Sequence, residues 1–573
     1  MLTIAEADAQ LTAPGAPFEM DTVDVRGRPT RVWATAQPTL RHVLERSRRF
    51  GDRTFIVYED ERSSFDDHYL RVAAFATHLH DDLGVRKGDR VAIAMRNFPE
   101  WSVAFWATTT IGAIVVPLNA WWTGEELEFG LADSGSSVAV VDEDRLDRIR
   151  PHRHQLPDLR WLVVVRAQSD LTEGPLDDGE ERWEDVVPAD PTGAVLPDVD
   201  LHPDDDATIF YTSGTTGNPK GALGTHRNIC NNPISLLYQR ARTQLRHPDA
   251  EQRRPSADPD APKPQTGALL TVPLFHVTGT HSTLMSAVSF GNKLVMMWKW
   301  DPERALELIE RERLTSFGGV PAMVIQIMES PSFRSRDLSS LTSVGYGGAP
   351  APPDLVRRIE AEFPPVSPGN GYGMTETSSI STYNGGADYL AKPDSVGPPV
   401  AVCDVKVVDD SGDELPAGAV GELMVSGPNV VKGYWNRPDA TAETFVDGWV
   451  RTGDIARIDD DGFVYIVERA KDMVIRGGEN IYCVEVESVL SSHPDVLEAA
   501  VVGIPHPVLG EEVAAVVHVR RGSAVTADDL RHHVREHLAA FKVPVVVDLR
   551  HDELPHSPQG KIQKRQLRDE LTG

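Results

Sequence analysis

The stretch YTSGTTGNPKGA, residues 211–222, combines several hydroxyl side chains, three glycines and one lysine. It follows the apolar run ATIF, and the chain continues as LGTHRNICNN. Glycines let a backbone approach a ligand closely, hydroxyls donate hydrogen bonds, and a lysine supplies a mobile positive charge. The composition therefore fits a loop that binds a polyphosphate, and by itself it fits a flexible surface turn equally well.

The stretch does not match the Walker pattern GxxxxGK[ST]. In that pattern, backbone N–H groups surround the phosphates and a hydroxyl residue follows the lysine. Here Pro219, which has no N–H, precedes Lys220, and Gly221, which has no hydroxyl, follows it. Any phosphate binding by this stretch must therefore use another arrangement.

The length and charge of the chain limit its classes of function. A chain of 573 residues exceeds the size of one hydrophobic core, so we expect two or more domains. The formal net charge of −29 argues against general binding to nucleic acid or to anionic membranes. An anionic ligand would therefore need locally placed positive side chains.

Cysteine usage and hydropathy favour a cytoplasmic protein. The cysteines Cys230, Cys403 and Cys483 have no C-x-x-C spacing, so we expect neither disulfides nor a zinc site. The first residues do not have the pattern of a secretory signal. The most apolar stretch, residues 103–116, is shorter than the roughly 20 residues that span a bilayer. We therefore expect no transmembrane segment and predict a buried helix that leads into a strand here.

Hydrophobic periodicity divides the chain into several regions. From residue 39 to about residue 200, helical patterns alternate with β-rich runs such as RVAIAM, which predicts an α/β unit with largely parallel strands. A second α/β series follows the opening stretch, and the charged, proline-rich segment around residues 239–267 between them is predicted to be a mobile insertion. After Pro398, short strands and turns predict an antiparallel β subdomain, followed by a small domain of roughly a hundred residues.

Four further segments decide how the opening stretch is interpreted. They are NGYGMTET (370–377), WVRTGD (449–454), ERAKDMVIRGGENIY (468–482) and LPHSPQGKIQKRQLR (554–568). In this order, the five segments resemble the signature set of the adenylate-forming superfamily of acyl-CoA synthetases, luciferases and peptide-synthetase adenylation domains. The resemblance extends over nearly the whole chain, from about residue 39 to residue 571. It favours the phosphate-binding loop over the surface turn.

The resemblance implies an α/β fold with a large and a small domain. The large N-terminal domain, residues 1–468, is expected to contain two α/β subdomains and a β subdomain. Residues 469–472 are expected to form a hinge, and residues 473–573 a small, mobile α+β C-terminal domain. The oligomeric state stays open, with a homodimer as one alternative.

The resemblance also implies that ATP and Mg²⁺ are bound, and it assigns residues to them. Glu376 matches the residue that holds Mg²⁺, for which a carboxylate is a suitable ligand, and Thr375 matches a contact to the α-phosphate. Asp454 matches the aspartate that accepts the ribose hydroxyls, and Arg469 an arginine at the ribose and phosphate. The other implied nucleotide contacts are Thr212, Ser213, Gly214, Thr215, Thr216, Gly217 and Lys220 at the β- and γ-phosphates, and Gly348, Ala349, Pro350, Asn370, Gly371 and Tyr372 around the adenine.

The second implied co-substrate is coenzyme A, whose thiol must reach the acyl carbonyl. Gly477 and Gly478 match the wall of the channel for its narrow arm. Lys561 matches a lysine that bridges the substrate carboxylate and the α-phosphate, and Lys471 falls at the hinge. Outside this context, the two lysines would be interpreted as surface charges and Asp454 as a turn residue.

The carboxylic acid is less well defined by the sequence. His276 matches a position that lines the acyl pocket, although a core histidine is the alternative, and Tyr346 and Gly347 are expected nearby. Gly318 and Gly319 are expected to leave room for a long or bulky apolar acid, because side chains that would close a tunnel are missing. A medium or long-chain fatty acid is the first expectation, and an aryl or alicyclic acid the second.

Two other functions stay open. A stand-alone enzyme could load an acyl or aminoacyl group onto a carrier protein, but LFHVTGTH lacks an acidic residue for a substrate ammonium and no carrier segment follows Gly573. An inactive protein could merely bind an acyl-adenylate, against which the joint presence of Glu376, Asp454, Arg469 and Lys561 argues.

The sequence also departs from the family pattern in the small domain. Cys483 stands where a proline is frequent, His556 where a basic residue is frequent, and Ile475 where plant coumarate ligases have a lysine.

Overall fold

A computed structural model describes residues 2–167, 177–212, 218–248, 264–349, 351, 355–363, 365–476, 479–557 and 560–572. Several residues of the predicted site lie outside these ranges. They are Ser213, Gly214, Thr215, Thr216 and Gly217 of the opening stretch, Pro350, Gly477 and Gly478.

The strands of the described residues are, in chain order, β1 (Met20–Val25), β2 (Arg28–Trp33), β3 (Thr54–Tyr58), β4 (Glu61–Ser64), β5 (Arg90–Ala94), β6 (Ile114–Pro117), β7 (Val138–Asp142), β8 (Trp161–Val165), β9 (Glu180–Arg182), β10 (Asp206–Thr212), β11 (Lys220–Thr225), β12 (Gly267–Leu270), β13 (Lys293–Met296), β14 (Ser316–Gly319), β15 (Ser343–Gly347), β16 (Ser367–Tyr372), β17 (Thr382–Gly385), β18 (Asp404–Val408), β19 (Gly421–Ser426), β20 (Phe445–Val446), β21 (Trp449–Ile458), β22 (Val464–Arg469), β23 (Val474–Arg476), β24 (Glu479–Ile481), β25 (Val496–His506), β26 (Gly510–Val519) and β27 (Val546–Arg550).

The α-helices of the same residues are α1 (Ile4–Leu11), α2 (Leu40–Ser47), α3 (Phe65–Thr77), α4 (Pro99–Thr110), α5 (Gly124–Ser134), α6 (Glu143–Ile149), α7 (Trp183–Val186), α8 (His226–Arg246), α9 (Met285–Phe290), α10 (Pro302–Arg311), α11 (Pro321–Glu329), α12 (Leu355–Glu362), α13 (Gly386–Ala391), α14 (Pro438–Thr444), α15 (Cys483–Ser491), α16 (Ala527–His537) and α17 (Lys564–Thr572).

Two large sheets form the centre of the molecule. The first has the order β11-β10-β6-β5-β7-β8-β9, and the second has the order β17-β16-β15-β14-β12-β13-β3-β4. Most neighbouring strands are parallel, which fits helices covering both faces of each sheet. Trp101 and Phe105 of α4 share one apolar core with Met285 of α9, so the sheets are packed through their helices. The predicted α/β class is confirmed.

The sequence did not predict that strands from the first part of the chain join the second sheet. Residues 39–200 were expected to form one α/β unit, but β3 and β4 belong to the second sheet, where β3 pairs in parallel with β13. The periodicity of β3 marks a strand without specifying its partner, because parallel pairing joins segments that are far apart in the chain.

Helix α8 corrects the prediction for the start of the polar insertion. Its N-cap is Thr225, whose side chain accepts a hydrogen bond from Asn228 N, and it continues through Arg246. Arg242 donates to the Pro399 carbonyl oxygen at 2.9 Å, and Arg246 forms an ion pair with Asp388 at 3.2 Å. These arginines resemble solvated charges in the sequence, but both are buried with partners. Residues 249–263 lie outside the described ranges.

Strands β1 and β2 form a two-stranded sheet, and the two five-stranded sheets follow the predicted change to short strands and turns after Pro398. Strands β18, β19, β21 and β20, with β22 on β21, form an antiparallel sheet after Pro398. Strands β24, β23, β26 and β25, with β27 on β26, form the sheet of the C-terminal region and pack against α15, α16 and α17. Contacts to the large region include an ion pair of 2.9 Å between Arg520 and Glu329.

All three cysteines lie within the described residues. Cys230, Cys403 and Cys483 are all free and buried, and burial raises the pKa of each thiol. Within the described ranges, we find no helix that has both the length and the apolar character needed to cross a bilayer.

Candidate active site

The predicted site residues gather where strands of three sheets end. Strands β15 and β16 run in parallel, with Tyr346 beside Asn370 and Gly347 beside Gly371, and both strands end there. The carboxyl ends of parallel strands are a common location for ligand sites in α/β proteins. Gly348 and Ala349 follow β15 directly.

Hairpin β10–β11 holds the ends of the opening stretch. Thr212 pairs with Lys220 in the antiparallel register, and its hydroxyl donates to the Lys220 carbonyl oxygen at 3.3 Å. The Lys220 ammonium lies 5.1 Å from the centre of the Tyr434 ring. The two described ends of the predicted phosphate loop are thus fixed, and Lys220 is held near the next cluster.

Asp454 and Arg469 form an ion pair on neighbouring strands. They are register partners in β21 and β22, and Arg469 Nε lies 2.6 Å from Asp454 Oδ1. The Tyr372 hydroxyl donates to Asp454 Oδ2 at 2.6 Å. Burial and the adjacent Asp454 carboxylate raise the pKa of Tyr372 well above its usual value. The Asp454 carboxylate therefore has a fixed partner on each of its two oxygens.

Glu376 is a buried carboxylate in the short 3₁₀ helix Thr375–Thr377. The Tyr434 hydroxyl donates a hydrogen bond to Glu376 Oε1 at 2.6 Å. Burial, and then the Glu376 charge, raise the pKa of Tyr434, so this hydroxyl remains a donor. Within the described ranges, no three His, Cys, Asp or Glu side chains are close enough to hold a metal together. Any Mg²⁺ at Glu376 therefore needs further oxygen ligands from a substrate.

A strained turn follows Glu376. Ser378 and Ser379 have φ values of 50° and 98°, a backbone region that usually requires glycine. The Ser379 hydroxyl lies 2.6 Å from the Ser282 hydroxyl, whereas the Ser378 hydroxyl is buried and has no hydrogen-bond partner. Strain of this kind persists only when surrounding contacts enforce it, and it is common at functional sites.

Lys561 reaches this centre from the C-terminal region. The charges of Arg469, Asp454, Lys471 and Glu376 all act on its ammonium. Desolvation by the surrounding protein, and then the positive charge of Arg469, lower the pKa of Lys561 to about 8. Part of the side chain is nevertheless exposed to solvent. The two regions of the chain thus contribute to one site.

Lys471 lies in the turn between β22 and β23, beside the same charges. Its surroundings lower its pKa, first through burial and then through the Arg469 guanidinium. The turn is closed by hydrogen bonds of 2.9 Å and 3.2 Å, in which Asp472 N and Met473 N donate to the Arg469 carbonyl oxygen.

His276 lies near the Lys561 ammonium and is neutral. Burial, with a further contribution from Lys561, lowers the pKa of His276 to about 3. Its Nε2 atom is buried and has no hydrogen-bond partner. Tyr346 is instead engaged within the core, with its hydroxyl 2.6 Å from that of Tyr389.

The expectation that Gly318 and Gly319 leave a tunnel is wrong. A methyl group built on Gly318 would lie 2.5 Å from the Gly345 carbonyl oxygen, and one on Gly319 would lie 2.7 Å from Met323 Sδ. Gly347 likewise faces the Gly371 carbonyl oxygen. These glycines permit close contact of protein atoms, because the space that their missing side chains would take is already filled.

A cavity of about 240 Å³, which the sequence did not predict, lies beside the site. Its walls include Arg96, Trp121, Trp298 and Met323 of the large region, and it ends at Gly560, next to Lys561. The Arg96 guanidinium stacks 3.9 Å from the Trp121 ring centre. A larger cavity of about 850 Å³ lies elsewhere, lined by acidic residues and by none of the predicted site residues.

Tyr434 and the pair Ser282–Ser379 were also missed. The sequence gives only a weak indication of Tyr434, because it is one of two aromatic residues in the run GYWNRP. The serine pair joins residues 97 positions apart, and no local pattern reports such a contact.

Comparison with known proteins agrees with this arrangement. Residues 43–435 match the family model of the AMP-binding enzymes, and residues 485–561 match the C-terminal domain of the same family. A feruloyl-CoA synthase of Amycolatopsis sp. is 38% identical over 526 residues, covering 92% of this chain and 97% of that protein. A long-chain-fatty-acid–CoA ligase of Yersinia pestis is 34% identical, covering 91% and 92%.

Solved structures give the same result. The anthranilate CoA ligase AuaEII in complex with anthranoyl-AMP superposes with a TM-score of 0.80 at 26% identity, over 93% of this chain and 97% of that one. ATP-bound MatB from Rhodopseudomonas palustris gives a TM-score of 0.78 at 29% identity, over 93% and 99%. The chain belongs to the AMP-binding enzyme family. Within it, the chain is an adenylate-forming ligase of the acyl-CoA synthetase type.

Proposed function

We propose that the protein uses ATP and Mg²⁺ to join a small carboxylic acid to coenzyme A. The substrate carboxylate attacks the α-phosphorus of ATP, forming an acyl-adenylate and releasing pyrophosphate. The thiol of coenzyme A then attacks the acyl carbonyl, forming the thioester, releasing AMP and losing its proton to solvent. The observation that carries this proposal is the convergence of Lys561, Arg469, Asp454 and Glu376 on one cleft.

Each charged residue suits one part of the first step. The Lys561 ammonium can bridge the two anions that must meet, and Arg469 can stabilise charge that develops at phosphorus. Asp454 accepts the ribose hydroxyls, and Thr375 contacts the α-phosphate. The hairpin ends Thr212 and Lys220 hold the loop for the terminal phosphates, together with the loop residues outside the described ranges.

The buried Glu376 carboxylate fits a magnesium ligand. Its charge has only a tyrosine hydroxyl as its described hydrogen-bond partner, and oxygen is the ligand atom that Mg²⁺ prefers. Bound Mg²⁺ would neutralise phosphate charge next to this residue. Gly348, Ala349, Asn370, Gly371 and Tyr372, at the ends of β15 and β16, are proposed to enclose the adenine with Pro350.

The cavity beside Gly560 is proposed as part of the approach of coenzyme A. It links an aromatic and cationic surface, made by Trp121, Trp298 and Arg96, to the position of Lys561. Gly477 and Gly478 remain proposed channel residues. Because Lys561 and its loop occupy the inner end of this route, we propose that residues 473–573 move about a hinge at residues 469–472 between the two steps.

For the acid, we propose an aryl acid that carries a hydrogen-bonding group. The segment Thr278–Leu284, which follows His276, presents polar groups rather than a continuous apolar surface. His281 is 1% exposed, and its ring contacts Phe210 at 4.9 Å between ring centres. A flat ring with a hydroxyl or amine would meet both an aromatic and a polar surface here.

A medium or long-chain fatty acid is the second candidate. The observation that favours it is the 34% identity to the Yersinia pestis long-chain ligase over most of both chains. Loading of a carrier protein in place of coenzyme A is a further alternative for the acceptor.

A panel of acids tests the proposal. We expect release of pyrophosphate and AMP with hydroxylated aromatic acids, less with saturated fatty acids of increasing chain length, and none with amino acids. Consumption of the coenzyme A thiol in the same reactions tests the acceptor. Turnover of fatty acids alone would replace the aryl acid by the second candidate, and no AMP formation with any acid would leave only a binding function.

A further inference from the structure

The loop that presents Lys561 is closed by its own backbone. In the described residues between β27 and α17, Ser557 N donates to the Lys561 carbonyl oxygen at 2.7 Å, and Gln563 N donates to the Pro555 carbonyl oxygen at 2.8 Å. His556 and Ile562 form a β-bridge across it. The position of the Lys561 ammonium therefore depends on how the base of this hairpin is held.

Two ion pairs hold that base on opposite sides. Lys564 Nζ lies 2.7 Å from Glu487 Oε1 on α15, and His556 Nε2 lies 2.9 Å from Glu498 Oε1 on β25. The Glu487 carboxylate also accepts a hydrogen bond from Val501 N of β25 at 2.7 Å. The lysine anchor stays charged at physiological pH, whereas the histidine anchor can lose its proton.

The groups that face His556 come from several elements. Glu498 of β25 is its hydrogen-bond partner, and the Glu498 carboxylate also lies 3.8 Å from His518 Nδ1 of β26. Glu553 and the Leu554 backbone act from its own loop. Arg96 and Lys299 line the same cavity of about 240 Å³ as His556.

These charges have opposite effects on the imidazole. Burial lowers the pKa of His556, but the Glu498 carboxylate, together with the Leu554 backbone and Glu553, raises it, and the net shift is upward. Burial raises the pKa of Glu498, but its contacts with His518 and His556 lower it, and the net shift is downward. At the lower end of the physiological range the pair is therefore a charged hydrogen bond, imidazolium to carboxylate.

We propose that His556 is a positioning residue for Lys561: its charged contact with Glu498 fixes the hairpin that carries the lysine, and adenylation weakens when this contact loses its proton. The proposal rests on the proposed role of Lys561 in adenylation. It gives the enzyme a pH dependence that a permanently charged residue at position 556 would not give.

The raised pKa of His556 determines how the contact depends on pH. Because the pKa of folded His556 lies above the ordinary value of about 6.5, the contact is complete below that pH and is lost as pH rises through the raised pKa. Lys561, with a pKa of about 8, also loses its proton at high pH, so variants at position 556 are needed to separate the two effects.

The test measures the two half-reactions separately from about pH 6 to about pH 9. Acyl-adenylate formation from acid and ATP is compared among the wild type, His556→Arg and His556→Gln. In the wild type, we expect the rate of acyl-adenylate formation to fall roughly 10-fold as pH rises and His556 loses its proton. This is the effect of losing one charged hydrogen bond. In His556→Arg this fall should be absent, and only the fall caused by deprotonation of Lys561 should remain. His556→Gln should form acyl-adenylate more slowly than the wild type at low pH.

Thioester formation from supplied acyl-adenylate and coenzyme A provides the internal control. Because His556 also lines the cavity proposed for coenzyme A, this step is measured at saturating coenzyme A. Its pH dependence should then be the same in the wild type and in both His556 variants, because Lys561 is not required for it under the proposed function. Lys564→Gln should lower acyl-adenylate formation by the same factor at every pH, since it removes the anchor that does not titrate in this range.

Several results would overturn the inference. A decline in His556→Arg identical to that of the wild type would show that another group titrates, and wild-type rates in His556→Gln at low pH would show that His556 positions nothing. If His556→Arg does not fold, Glu498→Gln replaces it, and a wild-type decline in that variant would be equally decisive. Normal acyl-adenylate formation in Lys561→Ala would instead contradict the proposed function itself.

Discussion

At the scale of single residues, Glu376 and Tyr434 form the contact that bears most directly on the proposed binding of magnesium. The Tyr434 hydroxyl holds one carboxylate oxygen at 2.6 Å. A buried carboxylate held in this way keeps its orientation while its charge remains available to a cation. The tyrosine is therefore expected to orient the carboxylate rather than replace a metal ligand.

Glu376→Gln keeps the size of the side chain and removes its charge. We expect turnover to fall by about 100-fold or more, because the cation would lose its protein ligand. High magnesium should restore part of the rate, and the melting temperature should change little. A magnesium titration of the rate checks this, with Tyr434→Phe as the matched control that keeps the charge. A normal rate at ordinary magnesium would show that Glu376 does not hold the metal.

The sequence predicted most of these side chains but not their neighbours. Asp454, Arg469 and Lys561 each lie within a distinctive short motif, so their types and order were informative. Tyr434 and the Ser282–Ser379 pair make their contacts through the tertiary fold, and such contacts leave no local periodicity in a single sequence.

At the scale of elements, the strands β14, β15 and β16 approach one another through glycines. Gly318 lies against Gly345, and Gly347 lies against Gly371. In the sequence, consecutive glycines can indicate either an open channel or close packing, because both require a missing side chain. Only the positions of the neighbouring strands distinguish the two, which is why the predicted tunnel was wrong.

Gly318→Ala and Gly319→Ala separate these two interpretations. Gly318→Ala should destabilise the protein by about 1–3 kcal/mol, because its methyl group would meet a backbone oxygen that cannot move independently. Gly319→Ala should cost less, because the atom that it meets is the sulfur of the flexible Met323 side chain. Thermal unfolding of both variants checks this. If the variants instead changed the preferred chain length of the acid and kept their stability, the predicted tunnel would be supported.

At the scale of the whole molecule, the site is assembled from two regions. Lys561 belongs to the C-terminal region, whereas Glu376 and Asp454 belong to the large one, and the ion pair Arg520–Glu329 is one of the contacts between them. An exposed pair of this kind contributes little stability, about 0–1 kcal/mol. The contact is thus compatible with repeated separation of the two regions.

Lys561→Ala tests whether the two steps use different arrangements of these regions. Acyl-adenylate formation should fall by about 10²–10³-fold, the effect of losing a group that stabilises transition-state charge. Conversion of supplied acyl-adenylate and coenzyme A to the thioester should continue at close to the wild-type rate. Rapid-quench measurement of each step checks this, and equal slowing of both would contradict the separate arrangements.

The three buried cysteines have a practical consequence for studying this enzyme. Since Cys230, Cys403 and Cys483 are enclosed and their thiols resist ionisation, reagents that colour free sulfhydryl groups should leave the native protein unlabelled. Denaturant should reveal all three groups. The disappearance of the coenzyme's own sulfhydryl can then be measured in samples withdrawn from the reaction at intervals, without background from the catalyst.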